Sequence, residues 1–221
     1  MLEYDDLATV PAGQSAESLL DVRTFDSTII ARHTQTDMTP YTGNAILVRE
    51  TVAQKLSLVN QAAKARGLRL CIVYGYRHPD IQRQYYDQRL RMLRKAHPYI
   101  TESALIRITH AFTAVPSVAG HPAGAAVDLT LVSQAGQSLQ MGTRISDFSN
   151  PVKIPTFSTQ VSKGARANRI LLHDLLVDEG FAPFYGEWWH FSFGDREWAV
   201  FYNQSARYDE VDVRIKGDNL L

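Results

Sequence analysis

This sequence of 221 residues contains a single cysteine and carries no net charge. One cysteine, Cys71, excludes an intramolecular disulfide framework, and its place in the apolar run 68–74 predicts a buried strand residue. Lys plus Arg and Asp plus Glu both total 23, so the formal net charge is zero. A nucleic-acid partner is therefore not expected, because nucleic-acid binders usually carry a basic excess or stripe.

Long apolar runs are also missing. The sequence contains no stretch of about 18 consecutive apolar residues, which is the length that a membrane-spanning helix needs. Its first ten residues, MLEYDDLATV, lack the basic start and apolar stretch of a secretory signal. We therefore expect no membrane span and a cytoplasmic protein. A periplasmic or secreted protein stays open if a signal peptide has been removed.

The composition instead predicts one folded domain. Hydrophobic residues make up 45% of the chain and charged residues 21%, which is enough apolar material for a core. The length suits a single domain. We divide the chain 1–221 into an irregular N-terminal segment (1–45), a core (46–195) and a peripheral polar tail (204–221).

Hydrophobic periodicity predicts helices and strands in alternation. Apolar residues at helical spacing indicate helices, and short apolar runs between turn residues indicate strands. The predicted helices are 49–66, 80–96 and 164–179, and the predicted strands are 68–74, 125–132 and 188–193. The connections 97–120 and 141–162 are long and irregular. This pattern favours an α+β domain over a regular doubly wound sheet.

Asp128 stands inside the otherwise apolar stretch AAVDLTLV, seven positions after His121. A carboxylate in a buried strand is costly unless a partner compensates its charge, and a metal ion is one such partner. Gly124 permits a close turn between the two residues. The pair alone leaves a second interpretation open, namely a surface histidine and a salt-bridged aspartate.

Glu187 and His190 form a second pair, in the sequence EWWH. In a regular strand, residues three positions apart lie on opposite faces, so the two side chains reach one site only if the chain bends between them. The rings of Trp188 and Trp189 would add apolar bulk around that site. A tryptophan-rich strand that merely forms core is the other interpretation.

Taken together, the two pairs indicate a catalytic metal site. Two histidines and one aspartate leave the fourth tetrahedral position of a zinc ion open, as in catalytic rather than structural sites. Glu187 beside a ligand can take a proton from an attacking water. Arg77 follows the predicted strand 68–74 and can stabilise the oxyanion that forms when water attacks a carbonyl.

Three motifs, Gly75-Tyr76-Arg77, His121-x6-Asp128 and Glu187-x-x-His190, together resemble the zinc D-Ala-D-Ala dipeptidases of the vancomycin-resistance type. These enzymes belong to a superfamily with D,D-carboxypeptidases, L-alanyl-D-glutamate endopeptidases and the hedgehog signalling domain. The double tryptophan in EWWH, the DLTL at 128–131 and the MGTR-x-x-DF at 141–148 resemble the dipeptidase branch in particular.

The resemblance covers about residues 46–195. It implies an α+β domain in which helices flank a mainly antiparallel central sheet. It also implies one Zn²⁺ per chain and a small peptide substrate containing D-amino acids, while a homo-oligomer stays open. The implied metal ligands are His121, Asp128 and His190, with Glu187 as the base and Arg77 as the oxyanion stabiliser.

The resemblance further implies a set of substrate contacts. Asp147 matches the carboxylate that holds the free amine of a dipeptide, although one extra residue precedes it here. Tyr76 and Trp189, which belong to the matched motifs, are assigned to the substrate pocket. The dipeptidases usually carry aspartate where this chain has Tyr74, which also bears on substrate choice.

Two other functions stay open beside the dipeptidase. One is a carboxypeptidase or endopeptidase that acts on peptidoglycan stem peptides, and the other is a non-catalytic zinc-binding module. His78 adjoins Arg77, and the sequence leaves open whether it enters the site. Glu197 and His110 are interpreted as ordinary structural or surface residues.

Overall fold

The computed structural model describes residues 4–33, 35–110 and 113–214 of the chain. Its α-helices are α1 (Tyr4–Ala8), α2 (Thr39–Thr42), α3 (Glu50–Lys64), α4 (Pro79–Ala96), α5 (Glu102–His110), α6 (Lys163–Asp178) and α7 (Arg196–Tyr202). Its β-strands are β1 (Leu19–Asp21), β2 (Ile30–Ala31), β3 (Leu47–Arg49), β4 (Leu68–Tyr74), β5 (Ala126–Ser133), β6 (Ala182–Pro183) and β7 (His190–Ser192).

A five-stranded sheet in the order β2-β4-β5-β7-β6 forms the centre of the molecule. Its neighbouring strands are antiparallel except for β2 and β4, which run parallel. A separate two-stranded antiparallel sheet joins β1 and β3. The middle strand β5 is buried from Ala126 to Val132, as expected of a strand with both faces covered. The predicted α+β fold with a mainly antiparallel sheet is therefore confirmed.

One face of the sheet is covered by amphipathic helices. The apolar stripe of α3, which includes Val52, Leu56 and Val59, is fully buried in the same core cluster as the β5 residues Val127 and Leu129. The leucines of α6 join this cluster. Helical spacing of the apolar residues thus explains why the predictions for α3 and α6 are confirmed.

The connection 97–120 is more ordered than predicted. It contains α5 and a short 3₁₀ turn at Pro116–Val118, while residues 111–112 lie outside the described part. The helix is short, and the residues that it buries are Leu105 and Thr109. A helix of nine residues is shorter than the window of about 11–18 residues over which periodicity indicates a helix, and the prediction of an irregular segment was wrong here.

The prediction of a peripheral tail is also wrong for part of residues 204–221. Tyr208 is 1% exposed, and its hydroxyl donates a hydrogen bond to Glu17 at 2.9 Å. Polar residues on either side of Tyr208 hide this anchor in the sequence. Residues 215–221 lie outside the described part of the chain.

Two predictions about individual features have clear outcomes. Cys71 is a free, buried thiol on β4, as predicted. Among the described helices, none is both long enough and apolar enough to cross a bilayer.

Candidate active site and metal centre

The register of the strands brings three residues together at the centre of the candidate site. Tyr74 on β4, Asp128 on β5 and His190 on β7 are paired across the sheet. Residues directly opposite each other in antiparallel strands project from the same face, and the Nδ1 atom of His190 lies 3.0 Å from Oδ1 of Asp128. The flanking residues Val127 and Leu129 point into the core instead. This alternation explains how an apolar strand carries a carboxylate.

His121 approaches from the loop that precedes β5. Its Nδ1 lies 2.7 Å from the carbonyl oxygen of Gly75 and must donate to it, because a carbonyl only accepts. The Nε2 atom therefore faces Asp128, with 3.5 Å between Nε2 and Oδ1. Gly124 has a φ of +68°, and its N–H donates to the His121 carbonyl at 3.0 Å, which closes the turn. A side chain at this glycine would also collide with Leu19.

The electrostatics of these three residues suit a cation. Burial lowers the pKa of His121 to about 4, with Asp128 opposing the shift. Although burial acts the other way, hydrogen bonding to Asp128 and the charge of Asp128 raise the pKa of His190 to about 9. Burial likewise opposes the low pKa of Asp128, which the two histidines hold well below its ordinary value. A positive charge is thus stabilised at this point, either as a proton on His190 or as a metal ion.

The donor atoms also fit zinc by their spacing. One atom from each of His121, Asp128 and His190 lies within 4.8 Å of the others. Zinc–nitrogen and zinc–oxygen bonds of about 2.0–2.2 Å place tetrahedral ligand atoms roughly 3.3–3.6 Å apart. The 3.0 and 3.5 Å separations from Asp128 lie close to that range. Imidazole and carboxylate donors in this number match a zinc site with one coordination position left for a reactant.

Glu187 reaches the same pocket because the chain turns before β7. The N–H of His190 donates to the carbonyl of Glu187 at 3.2 Å, so Trp188 and Trp189 lie in a turn rather than in the predicted strand. The two rings are 2% and 1% exposed and hold this turn in the protein interior. Burial raises the pKa of Glu187 to about 7, with the charge of His190 opposing the shift.

Aromatic rings fix the guanidinium of Arg77. Its Cζ lies 4.4 Å from the centroid of the Tyr74 ring and 5.0 Å from that of Tyr85. Its Nη1 donates to Oε1 of Gln82 at 2.8 Å. The hydroxyls of Tyr74 and Tyr85 both donate to Oδ2 of Asp37, at 2.6 and 2.5 Å. We call Tyr74, Tyr85 and Asp37 the arginine clamp.

A pocket of about 640 Å³ connects these groups. Among the residues predicted for the site, those that line the pocket are Arg77, His121, Asp128, Glu187, Trp189 and His190. Trp189 also contacts Phe148, with the ring centroids 5.9 Å apart.

Two predicted substrate contacts lie elsewhere. Asp147 does not line the pocket, although Ser146 and Phe148 on either side of it do. Its carboxylate instead accepts the N–H of Ser149 at 3.0 Å, next to a left-handed backbone at Ser146 (φ 59°). The side chain of Tyr76 does not line the pocket; it is buried, and its hydroxyl donates to the carbonyl of Val211 at 2.7 Å.

His78 has a structural place rather than one in the pocket. It is 1% exposed, with Nε2 2.7 Å from Asp212. Its Nδ1 accepts the N–H of Asp80 at 3.1 Å and so caps the first turn of α4.

Glu197 is a residue that the sequence interpretation missed. It lines the pocket, and its Oε2 lies 3.8 Å from Nε2 of His190. Burial raises the pKa of its carboxyl, and the charge of His190 opposes this. The one signal in the sequence is Asp195, a typical residue at a helix start, which predicts where α7 begins but not where it points. His110, also interpreted as an ordinary residue, lines the pocket as well.

Comparison with known proteins assigns the family. Residues 19–212 match the family model for the D-Ala-D-Ala dipeptidases of peptidase family M15. The chain belongs to this family. The predicted resemblance to these dipeptidases is therefore confirmed.

Two curated members of the dipeptidase family are similar to part of the chain. The D-alanyl-D-alanine dipeptidase of a Synechocystis species is 36% identical over 94 residues, which cover 38% of this chain and 38% of that protein. The enzyme of the same name from Escherichia coli is 34% identical over 71 residues, which cover 32% of this chain and 36% of that protein. The matched segments thus span little more than a third of either relative.

Among solved structures, the vancomycin-resistance D,D-pentapeptidase VanY in complex with Zn(II) is 19% identical to this chain. The match covers 74% of this chain and 83% of VanY, with a TM-score of 0.44.

Proposed function

We propose that this member of the dipeptidase family is a zinc-dependent peptidase that hydrolyses D-Ala-D-Ala or a related short D-amino-acid dipeptide. One observation carries the proposal. The three candidate ligands, the partly buried Glu187 and the clamped Arg77 all line one pocket. Water attack on an amide needs an activated carbonyl, a base and a group that stabilises the oxyanion, and this wall of the pocket offers all three. The family and the names of the curated relatives support the same substrate class.

Nε2 of His121, Oδ1 of Asp128 and Nδ1 of His190 would hold the zinc. When bound, zinc supplies Lewis acidity that polarises the scissile carbonyl and makes an attacking water more acidic. Glu187 accepts the proton of that water and then donates it to the leaving amine. Burial favours this role, because it raises the pKa of the Glu187 carboxyl and so makes it a stronger proton acceptor.

Arg77 directs its positive charge at the oxyanion. Its contacts with the arginine clamp hold the guanidinium in place before the reaction, so little reorganisation is needed as charge develops. Trp189 and Phe148 supply an apolar wall that limits access of bulk water.

A second candidate function, removal of D-alanine from longer stem peptides, is favoured by the volume and the lining of the pocket. Pockets of roughly 300–1,000 Å³ hold drug-sized ligands. The observed 640 Å³ therefore leaves room beyond a D-Ala-D-Ala molecule. Asp147, which would read the free amine of a dipeptide, does not line the pocket. Other lining residues, such as Arg89 and Met92, would then contact the remainder of the stem peptide.

The decisive experiment is product analysis by mass spectrometry with the zinc-loaded protein. Free D-Ala-D-Ala and a stem pentapeptide ending in D-Ala-D-Ala are offered separately, and Glu187→Gln serves as the catalytic control. We expect cleavage of the dipeptide into two alanines and a loss of rate of about 10²–10⁴-fold in the variant. The variant should keep its zinc, because Glu187 is not among the ligands.

The two candidates give different products. If the protein releases one D-alanine from the pentapeptide and does not cleave the dipeptide, the carboxypeptidase function would replace the dipeptidase function. No cleavage of either substrate by a zinc-loaded wild-type protein would contradict both and favour a zinc-binding module.

A further inference from the structure

Each candidate ligand histidine has a second ring nitrogen whose partner decides how the ring is oriented. A histidine that binds a metal through one nitrogen almost always donates the N–H of the other to a carbonyl, a carboxylate or water. His121 follows this rule, because its Nδ1 donates to the carbonyl of Gly75 while its Nε2 faces Asp128. For His190, the nitrogen that needs such an acceptor is Nε2.

Glu197 faces that nitrogen. The Nδ1 atom of His190 is directed at Asp128, so Nε2 is directed to the other side of the ring, where Oε2 of Glu197 lies 3.8 Å away. The side chains of His190 and Glu197 are each only 14% exposed. The other carboxylate oxygen of Glu197, Oε1, is buried without a hydrogen-bond partner among the described residues. The carboxylate thus lies at the metal centre with unused acceptor capacity.

The start of α7 holds Glu197 in this position. Oδ1 of Asp195 accepts the N–H of Trp198 and the hydroxyl of Ser192, both at 2.8 Å. The indole of Trp198 donates to the carbonyl of Gly180 at 2.9 Å. These contacts anchor the first turn of the helix on both sides of Glu197, and a side-chain shift of roughly 1 Å would bring Oε2 within hydrogen-bond distance of Nε2.

We propose that Glu197 is a positioning residue that accepts the Nε2–H of His190 and thereby directs Nδ1 at the metal. The inference rests on the proposed zinc site. A carboxylate in this place selects one tautomer of the imidazole, restricts rotation of the ring and strengthens its bond to a cation. Gly75 would do the same for His121, so that each ligand histidine has its own acceptor.

The test compares zinc affinity in Glu197→Ala, Glu197→Gln and wild-type protein, measured by competition with a chromophoric chelator at a fixed pH. Loss of such an outer partner typically weakens metal binding about 10–100-fold, which is the change expected for alanine. Glutamine keeps an acceptor oxygen and should recover much of the affinity. Glu179→Gln, which changes an acid at the end of α6 outside the pocket, should bind zinc as wild type does.

Cobalt substitution gives a second readout. The visible absorption of the Co(II) protein should change in Glu197→Ala and stay unchanged in Glu179→Gln, because only the first variant frees the imidazole. Circular dichroism of the metal-free proteins checks that every variant is folded.

Unchanged zinc affinity and an unchanged cobalt spectrum in Glu197→Ala would overturn the inference. If the KM for D-Ala-D-Ala then rose at constant kcat, Glu197 would instead be a contact for the amine of the substrate. Failure of the wild-type protein to bind zinc would contradict the proposed function itself and is thus distinguishable from failure of this inference.

Discussion

At the scale of single residues, the arginine clamp shows how a flexible side chain becomes a fixed one. Arg77 would normally sample many rotamers, but rings lie against its guanidinium and Gln82 accepts a hydrogen bond from it. Asp37 in turn joins the hydroxyls of Tyr74 and Tyr85. Burial raises the pKa of both hydroxyls, so they stay neutral donors to Asp37 across the physiological range.

The clamp predicts different effects for two substitutions of Tyr85. Tyr85→Leu removes the ring that contacts Arg77, and we expect kcat/KM to fall about tenfold, since a cation–π contact of about 1–2 kcal/mol is lost. Tyr85→Phe keeps the ring and loses only the contacts of the hydroxyl with Asp37 and Gln35, so its effect should be smaller. Steady-state kinetics and zinc affinity are measured together, and zinc affinity should not change. Equal losses in both variants would show that the hydroxyl, not the ring, holds Arg77.

At the scale of elements, one carboxylate attaches the segment between β1 and β2 to helix α3. Oδ2 of Asp26 accepts from Asn60 at 2.9 Å and from Lys64 at 3.1 Å, and Oδ1 accepts the N–H of Thr28 at 2.9 Å. Although burial acts in the opposite direction, these hydrogen bonds hold the pKa of Asp26 well below its ordinary value. The ionised form is therefore the one that stabilises the native state.

This contact predicts a pH-dependent stability difference between wild type and Asp26→Asn. A carboxyl with a lowered pKa stabilises the native state above its unfolded pKa of about 3.9, and the effect disappears as pH falls towards the lower native pKa. We expect Asp26→Asn to lose about 1.5–3 kcal/mol of stability at pH 7, which is the value of a hydrogen bond to a charged group. Urea unfolding of both proteins from pH 7 to pH 3 measures this. A difference that grew on acidification would contradict the sign.

At the scale of the whole molecule, Arg49 connects three segments that are distant in the sequence. Its guanidinium donates to the carbonyls of Ala123, Glu17 and Asp209, at 2.7, 2.6 and 3.1 Å. It also lies over the ring of Tyr208. The N-terminal segment, the loop that carries His121 and the C-terminal segment therefore depend on one buried side chain.

Arg49→Lys should destabilise the entire fold. The ammonium group of lysine cannot reach three carbonyls that the planar guanidinium bonds from separate nitrogens. The loss of about two charge-assisted hydrogen bonds predicts a loss of stability of about 3–6 kcal/mol. Denaturant unfolding of the chelator-treated protein measures this without the contribution of bound metal. Arg94→Lys, at an exposed ion pair with Glu102, is the matched control and should change stability by less than about 0.5 kcal/mol. A similar loss in both variants would contradict the role of Arg49.

Local patterns predict the elements and the candidate chemistry of this protein. Helix α3 and strands β4 and β5 follow from the spacing of apolar residues, because amphipathic periodicity is a property of consecutive residues. The isolated Asp128 in an apolar strand and the Glu187-x-x-His190 spacing likewise reveal the candidate ligands and base, since buried charge is informative wherever it occurs. Local patterns fail at α5, because its nine residues are fewer than the window of about 11–18 residues over which periodicity indicates a helix.

Contacts between distant segments depend on the tertiary fold and do not follow from local sequence patterns. The register of β4, β5 and β7 sets Asp128 beside His190, and the turn before β7 carries Glu187 into the same pocket. Asp147 is directed out of that pocket although its motif is present, and Glu197 is directed in without any motif. The physical reason is that the direction of a side chain depends on strand register and on the angle at which a helix packs. Those quantities are set by residues far away in the chain.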